Sequence, residues 1–230
     1  AIAGYEDLAR ARAGDEMALI LHLEGADALG QDPGLWPLFH HMGVRSLGLT
    51  WNYNNAFAGG VLDPDPAGLT SAGQRLLNEM EAVGSILDLA HVGETSYYQA
   101  LERYSPAVMV SHANARSICD HPRNLSDHQI MTLAEHGGII GVNLVPDFVD
   151  TNNPNLNRLL DHIDYISSLV GVEHVALGSD FDGADELLLS GVEDYALLAA
   201  GLNGRGFTHQ EVEAILHDNA AVFLSKVFAA

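Results

Sequence analysis

The chain has 230 residues, 47% of them hydrophobic, and 10 Lys+Arg against 31 Asp+Glu give a formal charge of −21. So acidic a surface repels polyanions, which excludes nucleic acid and anionic lipid as expected partners. Cys119 is the single cysteine, which excludes an internal disulfide and a thiolate zinc site. No apolar run reaches the roughly 18 residues that a membrane span needs. The N-terminal AIAGYEDLAR has neither the basic nor the apolar region of a signal peptide. A cytoplasmic location is therefore expected, with an upstream leader left open because the chain does not begin with Met.

In chain order the sequence alternates between two patterns. MALILHL (17–23) reads as a buried strand, LWPLFHHMG (35–43) as a short helix stopped by Gly43, and RSLGLT (45–50) as a second strand. WNYNNAFAGGVLDPDPAG follows as a long polar loop rich in Asn, Gly and Pro. TSAGQRLLNEMEAVG (70–84) has Thr70 or Ser71 as N-cap, Leu76, Leu77, Met80 and Val83 at helical spacing, and Gly84 as its stop. SILDLA (85–90) is a third strand, ETSYYQALERY a helix, and AVMVS (107–111) a fourth strand. SDHQIMTLAEHGG is a helix capped by Ser126 and stopped by Gly137, GIIGVNL (138–144) a fifth strand, and NLNRLLDHIDYISSLVG an amphipathic helix. HVALGS (174–179) is a sixth strand, and one or two helices close the chain, the longer one capped by Thr208.

Strands that alternate with helices and are apolar on both faces belong to a parallel sheet covered on both sides. The fold class is α/β, either a (β/α)8 barrel or a doubly wound open sheet. No GxGxxG follows the first strand, which favours the barrel. Polar residues close most strands: Glu24, Asn52, His91, His112, Asn143 and Asp180. In a barrel those ends meet at one mouth, where active sites are built. Six strands are readable where a closed barrel takes about eight. The expectation is one barrel domain over residues 1–230, N-terminally incomplete, with open sheet edges that favour association.

The strand ends also carry the chemistry. His91 and His112 each follow directly on an apolar run, and neutral imidazoles held there suit Zn²⁺ and related divalent ions. Each could instead be a hydrogen-bonded histidine at a strand end. Glu24 in LHLEGADALG is a carboxylate able to bridge two cations, or an ordinary charge at a helix start. Asp180 in LGSDFDG could ligate metal or act as general base on a metal-bound water; Asp182 competes, but Gly183 after it suggests a turn. Arg123 in CDHPRNLSD suits a substrate carboxylate held bidentately, or a surface salt bridge. His22 shares a face with Glu24 but lies deeper, as a structural residue. His40, His41, His128, His136, His162, His174, His209 and His217 read as solvated or partly buried on helices and their edges.

Taken in order, LHLEGADALG, LGLTWNYNNAFAGG, GLTSAGQRLLNEMEAVGSILDLAHVG, PAVMVSHANARSICDHPRNLSD, GGIIGVNLVPDF and HVALGSDFDG resemble the membrane dipeptidase (renal dipeptidase, peptidase M19) family, from about residue 17 to 225. DLAH, SH followed by RN, and SDFDG are its most specific blocks. The resemblance implies a (β/α)8 TIM barrel of the metal-dependent hydrolase type with a binuclear zinc centre. It implies hydrolysis of dipeptides through a hydroxide that bridges the metals, some members acting on D-residues, dehydropeptides or β-lactams. Carried over residue by residue, Glu24 is the bridging carboxylate, and His91 and His112 are ligands of the second metal. Arg123 holds the substrate carboxylate, and Asp180 moves a proton from the water to the leaving amine. The resemblance also implies a homodimer.

Two departures stand out. The family's His-x-Asp pair, which binds the first metal, does not occur upstream of Glu24, so one metal half-site is readable here. Trp51 stands where many members have a histidine thought to polarise the scissile carbonyl, with Asn52 beside it as a donor; this variant is familiar in bacterial-type members. The expected function is thus a zinc-dependent dipeptidase. The alternative is a divergent or truncated barrel of the same family that is metal-deficient or non-catalytic. Another amidohydrolase type, bridged by a carboxylated lysine, is disfavoured because Lys226 is the only lysine and lies far from any strand end.

Overall fold

The computed structural model describes residues 5–14 and 17–228; the first four residues of the stretch read for a leader lie outside these. Contacts divide the chain into two compact units. One runs to Met109 and takes up the segment from Ala221 onward; the other spans Val110–Ala220. No helix among the described residues is long and apolar enough to cross a membrane.

The first unit opens with α1 (Tyr5–Ala13), β1 (Leu21–Leu23), α2 (Trp36–His41) and β2 (Val44–Gly48). It continues with α3 (Ser71–Ala82), β3 (Ile86–Asp88), α4 (Glu94–Arg103) and β4 (Val108–Val110), which carries the chain into the second unit. Neighbouring strands pair in parallel in chain order, with Leu23 opposite Leu47, Gly48 opposite Asp88 and Leu87 opposite Val108. A parallel pair requires a crossover, and α2, α3 and α4 supply one each. Thr70, not Ser71, caps α3: its side chain accepts the Gly73 amide at 3.0 Å. Ser85 ties two neighbours to the start of β3. Its hydroxyl accepts the buried Trp36 indole N–H at 2.9 Å, and its carbonyl accepts the Tyr104 hydroxyl at 2.6 Å.

The strands are shorter than the apolar runs that mark them. β3 ends at Asp88 because the Asp88 carboxylate accepts the Ala90 amide at 3.0 Å, a local turn that competes with the ladder. The expected buried strand over 17–23 is corrected more strongly. Only Leu21–Leu23 pairs, and Met17, Leu19 and Leu21 are 85%, 55% and 43% exposed. β1 pairs with β2 on one side, and among the described residues no strand pairs with its other side. Its alternating apolar side chains therefore lack part of their cover.

The second unit holds α5 (Asp127–Glu135), β5 (Ile139–Val142), α6 (Pro146–Val149), α7 (Leu156–Val170) and β6 (Val175–Leu177). Then come α8 (Tyr195–Gly204), α9 (His209–Glu213), a π-helical turn at Ala214–Asp218, and α10 (Asn219–Phe228). β5 and β6 are parallel, with Ile140 opposite Val175. Ser126 and Thr208 start their helices through reciprocal capping boxes with Gln129 and Glu211. Gly141 and Gly178 allow a close approach: a Cβ on either would lie 2.0 Å from the Ser111 carbonyl oxygen.

α7 buries Leu159, Ile163 and Ile166 on one face. On its outer side Arg158 pairs with Asp150 at 2.8 Å and Asp161 at 2.6 Å, while Arg205 reaches Asp161 and Asp164, each at 2.7 Å. His162, expected to be solvated or partly buried, is instead fully buried. It follows Asp161 on the helix and faces inward, where its Nδ1 accepts the Ala115 amide at 3.1 Å and its Nε2 donates to the Val149 carbonyl at 2.9 Å.

Accepting at Nδ1 requires a neutral ring, and burial holds the His162 pKa below its ordinary value against the opposing pull of the Val149 bond. Between the depressed folded value and the unfolded value of about 6.5, the unfolded chain binds the extra proton. Stability is then full above about pH 6.5 and falls as the pH drops below it. Urea unfolding followed from about pH 7.5 to 5 should show this decline, and His162→Asn should flatten part of it; an unchanged slope would assign the decline to other groups.

Candidate functional site

In the first unit three strand ends converge on His91. Glu24 lies just past β1, and Glu24 Oε1 is 3.0 Å from His91 Nε2; the histidine side chain is 7% exposed and the carboxylate 44%. Asn52, beyond β2, places its Oδ1 2.8 Å from His91 Nδ1. An amide oxygen accepts, so Nδ1 carries the proton and Nε2 presents its lone pair. A lone pair and a carboxylate oxygen facing each other at 3.0 Å suit a shared cation, whether proton or metal ion. The half-exposed Trp51 ring leans over His91, with centroids 5.9 Å apart and planes tilted by 32°.

The His91 backbone is left-handed, with φ 65°, an uncommon state for a residue with a side chain. Its carbonyl accepts from Thr50 Oγ1 at 3.2 Å and from the Val61 amide at 2.8 Å. Val61 belongs to the segment read as a polar loop, which is a braced element. Asn54 Oδ1 accepts the Gly60 and Ala67 amides at 3.2 and 3.1 Å, and Asn54 Nδ2 donates to the Asp65 carbonyl at 3.0 Å. Asn55 accepts the Phe57 and Ala58 amides at 2.8 and 3.1 Å and donates to the Leu49 carbonyl at 2.9 Å. His22, expected to be structural, lies 3.0 Å from Ser46 Oγ and 3.5 Å from the buried Asp88 carboxylate.

The second unit carries His112, Arg123, Asn143 and Asp180. His112 is buried, with its Nδ1 2.8 Å from Ser111 Oγ. Arg123 is 4% exposed, and its guanidinium carbon lies 5.5 Å from the centroid of the Phe148 ring. The side chain is therefore buried in the loop after β4, against an aromatic face, and not on the surface. The same ring packs on His121, whose pKa burial lowers first and the Arg123 charge second. Asp180 is half-buried and Asp182 exposed, and both are left-handed, with φ 64° and 63°. Asn143, which had been marked only as a polar strand end, donates from Nδ2 to Asp180 Oδ2 at 3.1 Å.

Parallel strands, crossover helices, and imidazoles and carboxylates at the strand ends define an α/β scaffold that carries groups able to ligate a metal ion. The model of the membrane dipeptidase family, peptidase family M19, matches residues 2–229, and the chain belongs to that family. The chain is 34% identical to an uncharacterised protein of the pqqA 5′ region of Klebsiella pneumoniae, over 77% of this chain and 69% of that one. It is 30% identical to dipeptidase tcpJ of Claviceps purpurea over 96% of this chain, which spans 54% of that relative's length. Among solved structures, a metallo peptidase from Rhodobacter sphaeroides, liganded with a phosphinate mimic of the dipeptide L-Ala-D-Ala, is 30% identical with a TM-score of 0.84, covering 90% of this chain and 63% of that one. The fold class follows: α/β, of the TIM-barrel metallohydrolase type, with six strands among the described residues.

The brace over His91 generates a stability prediction. Asn54→Ala removes three loop hydrogen bonds made by one side chain and should lower the urea unfolding free energy by about 1–3 kcal/mol. A change within error would show the loop to be carried by Asn55 and the Val61 contact instead.

Proposed function

We propose that the chain provides the catalytic framework of a zinc-dependent dipeptidase that hydrolyses the peptide bond of dipeptides. The observation that carries this reading is the His91 arrangement: Asn52 fixes the Nδ1 proton, and Nε2 faces the Glu24 carboxylate at 3.0 Å. An imidazole whose second nitrogen is tied down and whose first meets a carboxylate is the usual dress of a zinc ligand. Family membership and the dipeptide mimic held by the Rhodobacter sphaeroides relative support the substrate class.

In this reading Glu24, His91 and His112 hold the metal, one carboxylate and two imidazoles each offering one ligand atom; the donor set fits Zn²⁺. A bound zinc lowers the pKa of a water so that it can attack a carbonyl at neutral pH. The chain's own residues do the rest. Asp180 takes the proton of the attacking water at its carboxylate and returns it to the departing amine nitrogen. Arg123 binds the free carboxylate at the C-terminal end of the substrate and so limits it to two residues. The Phe148 ring against Arg123 holds the guanidinium plane in place before substrate arrives. Trp51 and Asn52 stand beside the scissile bond, and the exposed indole covers one side of His91.

The test is hydrolysis of L-Ala-D-Ala and an L-X–Gly panel with added Zn²⁺. His91→Ala and Asp180→Asn should each cost about 10²-fold or more in kcat/KM, and chelation should remove activity reversibly. Unchanged rates in both variants would defeat the proposal. Tight zinc binding with no turnover would instead establish the non-catalytic reading.

A further inference from the structure

Asp180 is held from two sides by residues with no part in the proposed chemistry. On one side stands a relay of three fully or almost fully buried asparagines, Asn124, Asn114 and Asn143. Asn124 is fixed first: its Nδ2 donates to the Cys119 and Phe148 carbonyls at 2.9 and 2.8 Å, and its Oδ1 accepts the Asn114 amide at 3.2 Å. Asn114 then pairs with both backbone groups of Asn143. Its Oδ1 accepts the Asn143 amide at 3.0 Å, and its Nδ2 donates to the Asn143 carbonyl at 3.1 Å. A side-chain amide here does what a neighbouring strand does in a sheet. Asn143, so clamped, turns its own amide outward. Its Oδ1 accepts the Val145 amide at 2.6 Å, which sets the flip, and its Nδ2 donates to Asp180 Oδ2 at 3.1 Å.

On the other side stands Gly183. The Asp180 carbonyl accepts the Gly183 amide at 3.0 Å, closing a turn, and a Cβ on Gly183 would lie 2.3 Å from Asp180 Oδ1. Gly183 does not occupy the left-handed region, so backbone conformation does not demand glycine there. What a side chain would disturb is the carboxylate.

We propose that Asn143 and Gly183 are positioning residues for Asp180: Asn143 anchors one carboxylate oxygen, and Gly183 leaves the room that keeps the other in place. This rests on Asp180 being the proton-transferring group of the proposed dipeptidase. A carboxylate displaced by about 1 Å can cost on the order of 10²-fold in rate while leaving substrate binding intact.

Two variants test it. Asn143→Asp is isosteric and keeps the acceptor for Val145, and it replaces the donor to Asp180 with an acidic oxygen that repels the carboxylate. Gly183→Ala presses on the tip of a flexible side chain. Each should lower kcat at least about tenfold, with KM within about threefold of wild type and a thermal midpoint within about 3 °C. Wild-type kcat in either variant overturns that residue's role. A loss of kcat matched by a large fall in thermal midpoint also overturns it, in favour of a plain structural role. If zinc-loaded wild type hydrolyses no dipeptide, the underlying reading fails, and crystal structures of the two variants then decide the positioning. A displaced Asp180 carboxylate supports it, and an unmoved one overturns it.

Discussion

The first unit's polar end depends on one hydrogen bond, from His91 Nδ1 to Asn52 Oδ1. It fixes which ring nitrogen carries the proton, and so which one meets Glu24. It also links the turn after β2 to the turn after β3. The histidine could not stand there without help, because its backbone is left-handed. Thr50 and Val61 hold its carbonyl, and Asn54 and Asn55 hold the loop that contains Val61. Strain at one residue is thus held by a folded segment rather than by a single contact, as residues in sparsely populated conformations require.

The second unit solves a related problem with the same side-chain chemistry. Asp180 is also left-handed, and an asparagine again makes the contact that orients it. Amides suit both places. They donate and accept at once, carry no charge, and can be buried without the desolvation cost of an ion. In a chain with so many carboxylates, a neutral donor beside Asp180 also avoids adding another charge to the same strand end.

Much of the framework was legible in the sequence because it is local. Thr70, Ser126 and Thr208 cap helices by contacts within three residues, and glycine stops and 3.6-residue apolar spacing mark the helix bodies. Within each unit, the ends of neighbouring strands could be read together because parallel pairing points them the same way. What could not be read is what depends on distant partners. The Asn114–Asn143 pairing joins positions 29 apart, and Asn143 reaches Asp180 across 37; neither leaves a periodic trace. The burial of His162 is hidden for the same reason, since its partners Ala115 and Val149 are far off along the chain. The exposure of Met17 and Leu19 was misread because apolar alternation reports what a strand can bury, not whether a neighbour is there to cover it.

The paired arginines of the second unit bear on how the sequence can drift. Arg158 and Arg205 neutralise Asp150, Asp161 and Asp164, two cations of only ten in the whole chain. Carboxylates are abundant elsewhere, and losing one of them relieves repulsion. Losing Arg158 strips Asp150 of its pair, losing Arg205 does the same to Asp164, and either loss leaves Asp161 with one guanidinium in place of two. Tolerance to substitution is therefore lopsided by sign: the acidic surface is free to vary, while a few basic positions are held by the excess of negative charge around them.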